Sequence, residues 1–425
     1  MSTAARYEPR LDVDIGQFRI QGNRHRDELI RVALRLGALF RLPAPDAPTL
    51  CFLGGRAEAD AIGPAGRGVL AGNIAGAGLD WSRAFETCVG EAAEFWGQVG
   101  AAHLPTRVQA AGGVLEGAAP ALRRFLAGVL EASGVGRAAA VACTEARRMS
   151  DGAVVAVPVD LCVRRAPGER DFTPPLKLGT GCGAGATAEA AALHGLLELI
   201  ERDAVALWWR GGTPARALPA GSTVVRGAAA LLHWLRAGNG ERRTWLLDVT
   251  SDLGVPVVVA LSARAGGRGL AYGAACRPHI ADAAAAALIE LCQMELGQHL
   301  AQAKLMAGGA ATLTAGDRLH LHRAEMLDPA CCTLLHPTLG ETVFWEAPET
   351  DDAGELLRCL VALLERRGIE TYAVALTRSE LDIPVVRVIA PGLQLDPCEL
   401  VSPRLARAIV ASGGGARLTR GIRLF

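Results

Sequence analysis

Three stretches of this 425-residue chain set an acid and a second acid or amide three residues apart inside long apolar runs, each entered through glycine. That echo restricts the fold more than any other feature. The first stretch, GAGLDWSRAFETCVGEAAEFW from Gly76, and the second, GAGATAEAAALHGLLELIERDAVALWW from Gly183, place a glutamate thirteen residues after their second glycine and another three further on. These pairs are Glu91 with Glu94 and Glu198 with Glu201. The third, YGAACRPHIADAAAAALIELCQMEL from Tyr272, has a looser entry and carries Glu290 with Gln293. At about 100° per residue, positions i and i+3 of a helix lie about 60° apart and one turn along the axis, so each pair addresses one ligand or one neighbour. Thr87, Glu91, Glu94 and Gln98 form one such stripe, and His194, Glu198 and Glu201 a second. Ala286 and Gly297 flank the third stripe and leave it open.

Taken singly, each helix reads as a solvated face, because glutamate is a good helix former and ordinarily faces water. Together they read differently, since the third is nearly all Ala, Leu, Ile, Cys and Met around Glu290, where a solvated face should show several charges. Carboxylates buried without compensation are costly, so converging acids need cations. Hard oxygen donors of this kind are used with Mg²⁺ and substrate phosphates, which points to a Mg-ATP site without a P-loop. No G-x-x-x-x-G-K-[ST], G-x-S-x-G or H-E-x-x-H occurs. GCGAGA, with Gly181, Gly183 and Ala186, satisfies G-x-G-x-x-A, but it follows no clear strand and sits in no βαβ unit. The glycines are expected to bring backbone close to a ligand at helix N-termini, where free N–H groups favour anions.

Composition narrows the partners. Basic and acidic side chains number 44 each, so no field of one sign would gather nucleic acid or anionic lipid. Only Lys177 and Lys304 are lysines, and the arginine-rich, alanine- and glycine-rich usage discounts any single arginine as a signal. The 11 cysteines are scattered without CxxC pairs, which fits small core residues better than disulfides or zinc. The start, MSTAARYEPRLDVD, lacks a signal-peptide layout, and no apolar run reaches membrane-spanning length, giving the expectation of a cytoplasmic protein with no membrane association.

A helix is expected from Arg26 to Phe40, then strands at 51–55, 153–163, 243–249 and 255–263, with two more in ETYAVALT and IPVVRVIAPG. Helical periodicity without interior proline marks Trp81–Val99, Ala119–Gly134, Thr187–Trp209, Asp282–Met306 and Asp352–Arg367. This order predicts a mixed α/β (α+β) fold, with helices packed on antiparallel or mixed sheets rather than a regular βαβ alternation.

The three acidic helices, together with DIPVVRVIAPGLQ from Asp382 to Gln394, resemble the YcaO family of ATP-dependent, peptide backbone-activating enzymes, in order from roughly residue 46 to 400. The middle helix is the most specific part. The resemblance implies a YcaO-like fold around a Mg-ATP site, with an N-terminal extension over 1–45 and the catalytic domain over 46–425. It implies Glu91, Glu94, Glu198 and Glu290 as magnesium ligands, and Thr87, His194, Glu201, Arg202, Arg210 and Gln293 as nucleotide-site residues. ATP and Mg²⁺ are the implied cofactors and a ribosomally made precursor peptide the implied substrate, cyclodehydrated at Cys, Ser or Thr to thiazoline or oxazoline. Thioamide or amidine formation, or a nonenzymatic scaffold within a peptide-modifying complex, are the alternatives. Phe95 stands where the family commonly has arginine, Gly195 and Ala286 where polar residues often occur, and Arg210 projects from a different helix face. The chain ends LTRGIRLF rather than in the proline-rich tail of azoline-forming relatives. With about 45 residues ahead of the resemblance, a separate E1-like leader-binding protein is expected to dock, near the N-terminal helix or GIRLF. A flavin dehydrogenase as a further partner and a homodimer complete the expectation.

Overall fold

The computed structural model describes residues 24–62, 71–219 and 221–424. The opening MSTAARYEPRLDVD and the terminal Phe425 lie outside them. Among the described residues no helix is long and apolar enough to cross a membrane.

The chain builds three antiparallel sheets in succession and lays one acidic helix on each. Helix α1 (Arg24–Ala33) leads into strands β1 (Ala38–Arg41), β2 (Cys51–Glu58) and β3 (Ala71–Gly78), which pair in that order, and helix α2 (Trp81–Gly97) returns across them. The N-terminal helix is shorter than the expected Arg26–Phe40. At Gly37 the chain turns, its N–H bonding Arg56 O at 3.0 Å, and Ala38–Arg41 pairs with β2 instead. Asp80 caps α2 by accepting from Arg83 N at 2.8 Å.

Strand β4 (Arg107–Ala110), helices α3 (Ala111–Glu116) and α4 (Pro120–Ala132), strands β5 (Ala140–Arg148) and β6 (Val154–Pro158), and the short β7 (Cys182–Ala184) begin the second sheet. Its order is β4-β5-β11-β12-β7, with β6 on β5, and it is completed by β11 (Tyr372–Ala375) and β12 (Val385–Ile389) from near the end of the chain. Helix α5 (Ala188–Trp209), capped by Thr187, lies against β7 and β12. The third sheet follows helix α6 (Thr223–Arg236) and has order β10-β9-β8, from β8 (Arg242–Asp248), β9 (Val257–Arg264) and β10 (Ala271–Cys276). Helix α7 (Ile280–Gly308) packs on β10 and β9, and helices α8 (Ala315–Met326), α9 (Ala353–Arg366), α10 (Pro403–Ser412) and α11 (Ala416–Thr419) fill the periphery.

One core gathers Trp96, Phe85, Leu126, Val141 and Tyr372 between α2, α4 and the central sheet, and takes in Leu29 and Val32 of α1. A second holds Leu196, Trp208, Trp209, Val259, Leu364 and Val388 around α5 and α9, and a third holds Leu235, Ala287, Leu291 and Phe52 around α6 and α7. Residues 421–424 reach into the second core. Ile422 and Leu424 are buried there, with Trp209 Nε1 donating to Ile422 O at 2.7 Å and Arg323 donating to Leu424 O.

Candidate functional site

The glycines that lead the three helices have a packing role. A Cβ on Gly76 of β3 would lie 2.3 Å from Ala84 O and Cys88 N of α2; on Gly183 of β7, 2.3 Å from Ala191 O of α5; on Gly273 of β10, 2.1 Å from Leu291 N of α7. Each helix therefore rests directly on the backbone of the strand before it, closer than any side chain allows. The contact repeats in all three units, and it fixes where each acidic stripe points.

Strand N–H groups then hold the carboxylates. Ala75 N of β3 donates to Glu91 at 2.7 Å and Ala274 N of β10 to Glu290, each sixteen residues upstream of its acceptor. Gly181 N, just before β7, donates to Glu198 at 3.0 Å. Glu94 crosses between units: its carboxylate accepts from Ala184 N of β7 at 2.9 Å, which brings α2 into the neighbourhood of α5. Arg202 lies 3.4 Å from Glu198 and 3.8 Å from Glu201.

Electrostatics ties the three helices together. Burial lifts the Glu94 carboxyl to about 8, helped by the negative charge of Glu198 and then Glu91, against the pull of the Ala184 N–H. Burial likewise lifts Glu201 to about 8; Glu290 and Glu198 push the same way, while Arg202 and Arg277 oppose. Glu290 is raised by burial and by Glu198, with Arg202 and Arg277 opposing. Glu198 is thus the carboxylate that α2, α5 and α7 share. Carboxylates from three helices crowd one another there, a repulsion that a divalent ion would relieve. Among the described residues no three His, Cys, Asp or Glu side chains are placed closely enough to hold a metal ion. Glu91, Glu94, Glu198 and Glu290 each rest instead on a backbone donor of their own.

The structure brings together Glu91, Glu94, Glu198, Glu201, Glu290 and Arg202. Thr87 sits one turn before Glu91, with its hydroxyl donating to Arg83 O at 2.8 Å. His194 lies one turn before Glu198, its Nδ1 2.9 Å from Ala184 O, and Gln293 one turn after Glu290, half-buried. Arg210 is elsewhere. It closes the far end of α5, about 18 Å along the axis from Glu198, where it pairs with Asp396 and donates to Cys398 O at 3.1 Å.

Several cations at the site went unread in the sequence. Arg387, a lone charge in the apolar run PVVRVIA, is buried in β12, where it donates to Leu178 O and Thr180 O and its charge bears on Glu198. Arg277 acts on Glu201 and Glu290 from the end of β10. Arg164 and Lys177 line a cavity of about 580 Å³ that opens beside Glu198 and Arg202.

A family model described as YcaO cyclodehydratase, ATP- and Mg²⁺-binding, matches residues 75–394. An uncharacterized protein of Methanothermobacter thermautotrophicus is 29% identical over 251 residues, 54% of this chain and 59% of that one. Among solved structures, a heterocyclase in complex with substrate and cofactor superposes with a TM-score of 0.65 at 21% identity, over 85% of this chain and 50% of that chain. YcaO from Methanopyrus kandleri bound with AMPPCP and Mg²⁺ gives 0.59 at 20% identity, over 92% and 94%. The E. coli microcin synthetase McbBCD complex gives 0.57 at 14%, over 84% and 88%. The chain therefore spans about three fifths of its relative from Methanothermobacter thermautotrophicus and half of the heterocyclase. At these identities the structural likenesses establish a shared fold.

Proposed function

Because this chain belongs to the YcaO family, on a family match that covers residues 75–394, we propose that it is an ATP- and Mg²⁺-dependent enzyme that activates backbone amides of a ribosomally made peptide. Its reaction is cyclodehydration of Cys, Ser or Thr to thiazoline or oxazoline. The observation that carries the reading is the set of carboxylates from three helices whose charges meet at Glu198. The family description and the AMPPCP- and Mg²⁺-bound relative support the choice of ligand.

When bound, Mg-ATP supplies the γ-phosphoryl group that makes the amide oxygen a leaving group, after a substrate thiol or hydroxyl has attacked the carbonyl. The residues of the chain hold and orient. Glu91, Glu94, Glu198 and Glu290 would be the magnesium ligands, and the backbone N–H groups that bond all four would orient them. Arg202, held by Glu198 and Glu201, lies where phosphate charge would gather. His194, Gln293 and Thr87 border the same stripes and would contact the nucleotide. Arg210 would act from a distance, by fixing the end of α5 on Asp396. The attacking group belongs to the substrate, so no nucleophile from the protein is required.

The heterocyclase with bound substrate and the microcin synthetase complex support a peptide substrate and partner proteins. We place a separate leader-binding protein beside this chain, with a flavin dehydrogenase and a second copy of the chain as further members of the assembly. The test is phosphate release measured with the cognate peptide and its neighbouring proteins, with mass analysis of the peptide. Loss of one water per modified residue is expected, in a reaction that needs both peptide and partner. Glu198→Gln and Glu290→Gln should abolish phosphate release, because each removes a metal-binding charge and keeps the shape. Wild-type turnover in either variant would contradict the ligand assignment, and exchange of oxygen for sulfur in the product would replace azoline by thioamide formation.

A further inference from the structure

The cavity beside Glu198 is cationic to a degree that the carboxylate cluster does not explain. Arg164, Arg165, Arg170, Lys177 and Arg202 line it against Asp160 and Glu198. Two of these cations are committed to protein acids. Arg165 forms a two-pronged contact with Asp160 at 2.8 and 2.7 Å and reaches Asp171 at 2.9 Å, and Arg202 is held by Glu198 and Glu201. Arg164 and Lys177 have no ion-pair partner among the described residues.

Arg164 is fixed rather than loose. Its backbone N–H bonds Gln98 O, and its carbonyl accepts from Gly100 N at 2.8 Å, so the end of α2 holds it. The guanidinium stacks 5.7 Å from the Phe95 ring centroid, on the residue next to Glu94, and its Nη2 would lie 3.7 Å from a Cβ on Gly179. Gly179 is two residues from the N–H that holds Glu198. Nη1 is buried with no acceptor in reach. A guanidinium that lines a cavity of surplus positive charge with one nitrogen buried and unsatisfied is costly unless an anion offsets its charge.

We propose that Arg164, with Lys177, is a binding site for a phosphate chain in the cavity next to Glu198. Resting on the functional reading above, the chain is the polyphosphate of ATP, whose terminal end then lies between Arg164 and the Glu94–Glu198 carboxylates. The alternative source is a free oligophosphate, and the chemistry recognised is the same. Phe95 supplies the surface on which the planar guanidinium is oriented.

The experiment titrates the intact chain with Mg-ATP and, separately, with inorganic tripolyphosphate plus Mg²⁺, by calorimetry, for wild type, Arg164→Gln, Arg164→Lys, Lys177→Met and Glu198→Gln. Circular dichroism and thermal melting confirm that each variant is folded. Arg164→Gln should weaken both ligands at least about tenfold, since it removes a charge-assisted contact. Arg164→Lys should recover part of the loss and Lys177→Met should show a smaller one. If Mg-ATP binds Arg164→Gln as tightly as wild type while Glu198→Gln loses it, the functional reading stands and this inference falls. If tripolyphosphate binds through Arg164 but Mg-ATP does not bind wild type, the anion site stands and the nucleotide reading falls. Binding of neither ligand to folded wild type overturns both.

Discussion

Burial and mutual repulsion keep the Glu94 and Glu201 carboxyls protonated up to about 8, against an ordinary 4.5. The folded chain therefore binds more protons than the unfolded chain between those values, and its stability falls as pH rises through that window. The melting temperature of the metal-free protein should accordingly drop between about pH 5 and about pH 8. Adding Mg-ATP should reduce the drop, because the ion binds the ionised carboxylates and releases their protons. Melts across this range with and without Mg-ATP check the point; a flat or rising profile, unaltered by the ligand, would show that these acids are satisfied by the protein alone. At this scale the acidic half of the site was legible, because a three-residue spacing in an oily helix is visible in one dimension. The basic half was not. Arg164 and Arg387 reach the site from segments outside the acidic helices, and among 42 arginines no single one stands out; Lys177 lies just ahead of α5 but carries no helical spacing that would mark it. Arg210 shows the converse, since sequence proximity to the acidic stripe does not overcome the length of helix between it and Glu198.

The strand–glycine–helix contact is the element that repeats. Its strands escaped the sequence because AGNIAGAG, CGA and AYGAAC carry few β-branched residues, and what selects them is the approach of the helix, which forbids side chains. The longer elements, α2, α4, α5, α7 and α9, were legible to within a few residues at their ends from periodicity, because they are long and uninterrupted. Replacing Gly273 by alanine drives a methyl group to 2.1 Å from the backbone of α7, where no rotamer change relieves it. A loss of about 3 kcal/mol in unfolding free energy is expected, with weakened Mg-ATP binding from displacement of Glu290. Gly90 in α2 has no atom within 4 Å of its Cβ position, so Gly90→Ala should be neutral or stabilise by up to about 1 kcal/mol. Denaturant titration of both variants decides; equal stability of the two would mean that the helices do not rest on the strands as described.

Across the whole molecule, two three-stranded sheets and one six-stranded sheet each carry one acidic helix, and the chain returns late strands β11 and β12 between β5 and β7. The mixed α/β character and the order of the long helices follow from the sequence patterns, which leave antiparallel and mixed sheets both open. The return of residues 372–389 into the central sheet does not, because which strands become neighbours depends on contacts some two hundred residues apart. The central claim is that carboxylates from α2, α5 and α7 act as one magnesium-dependent nucleotide site. Calorimetric titration of ATP, with and without Mg²⁺, into wild type and into Glu94→Gln, Glu198→Gln and Glu290→Gln tests it without needing the peptide. Binding that requires Mg²⁺ and is weakened at least about tenfold by each substitution, one on each helix, is the expected result. ATP binding that ignores Mg²⁺, or that survives all three substitutions unchanged in folded protein, would contradict it.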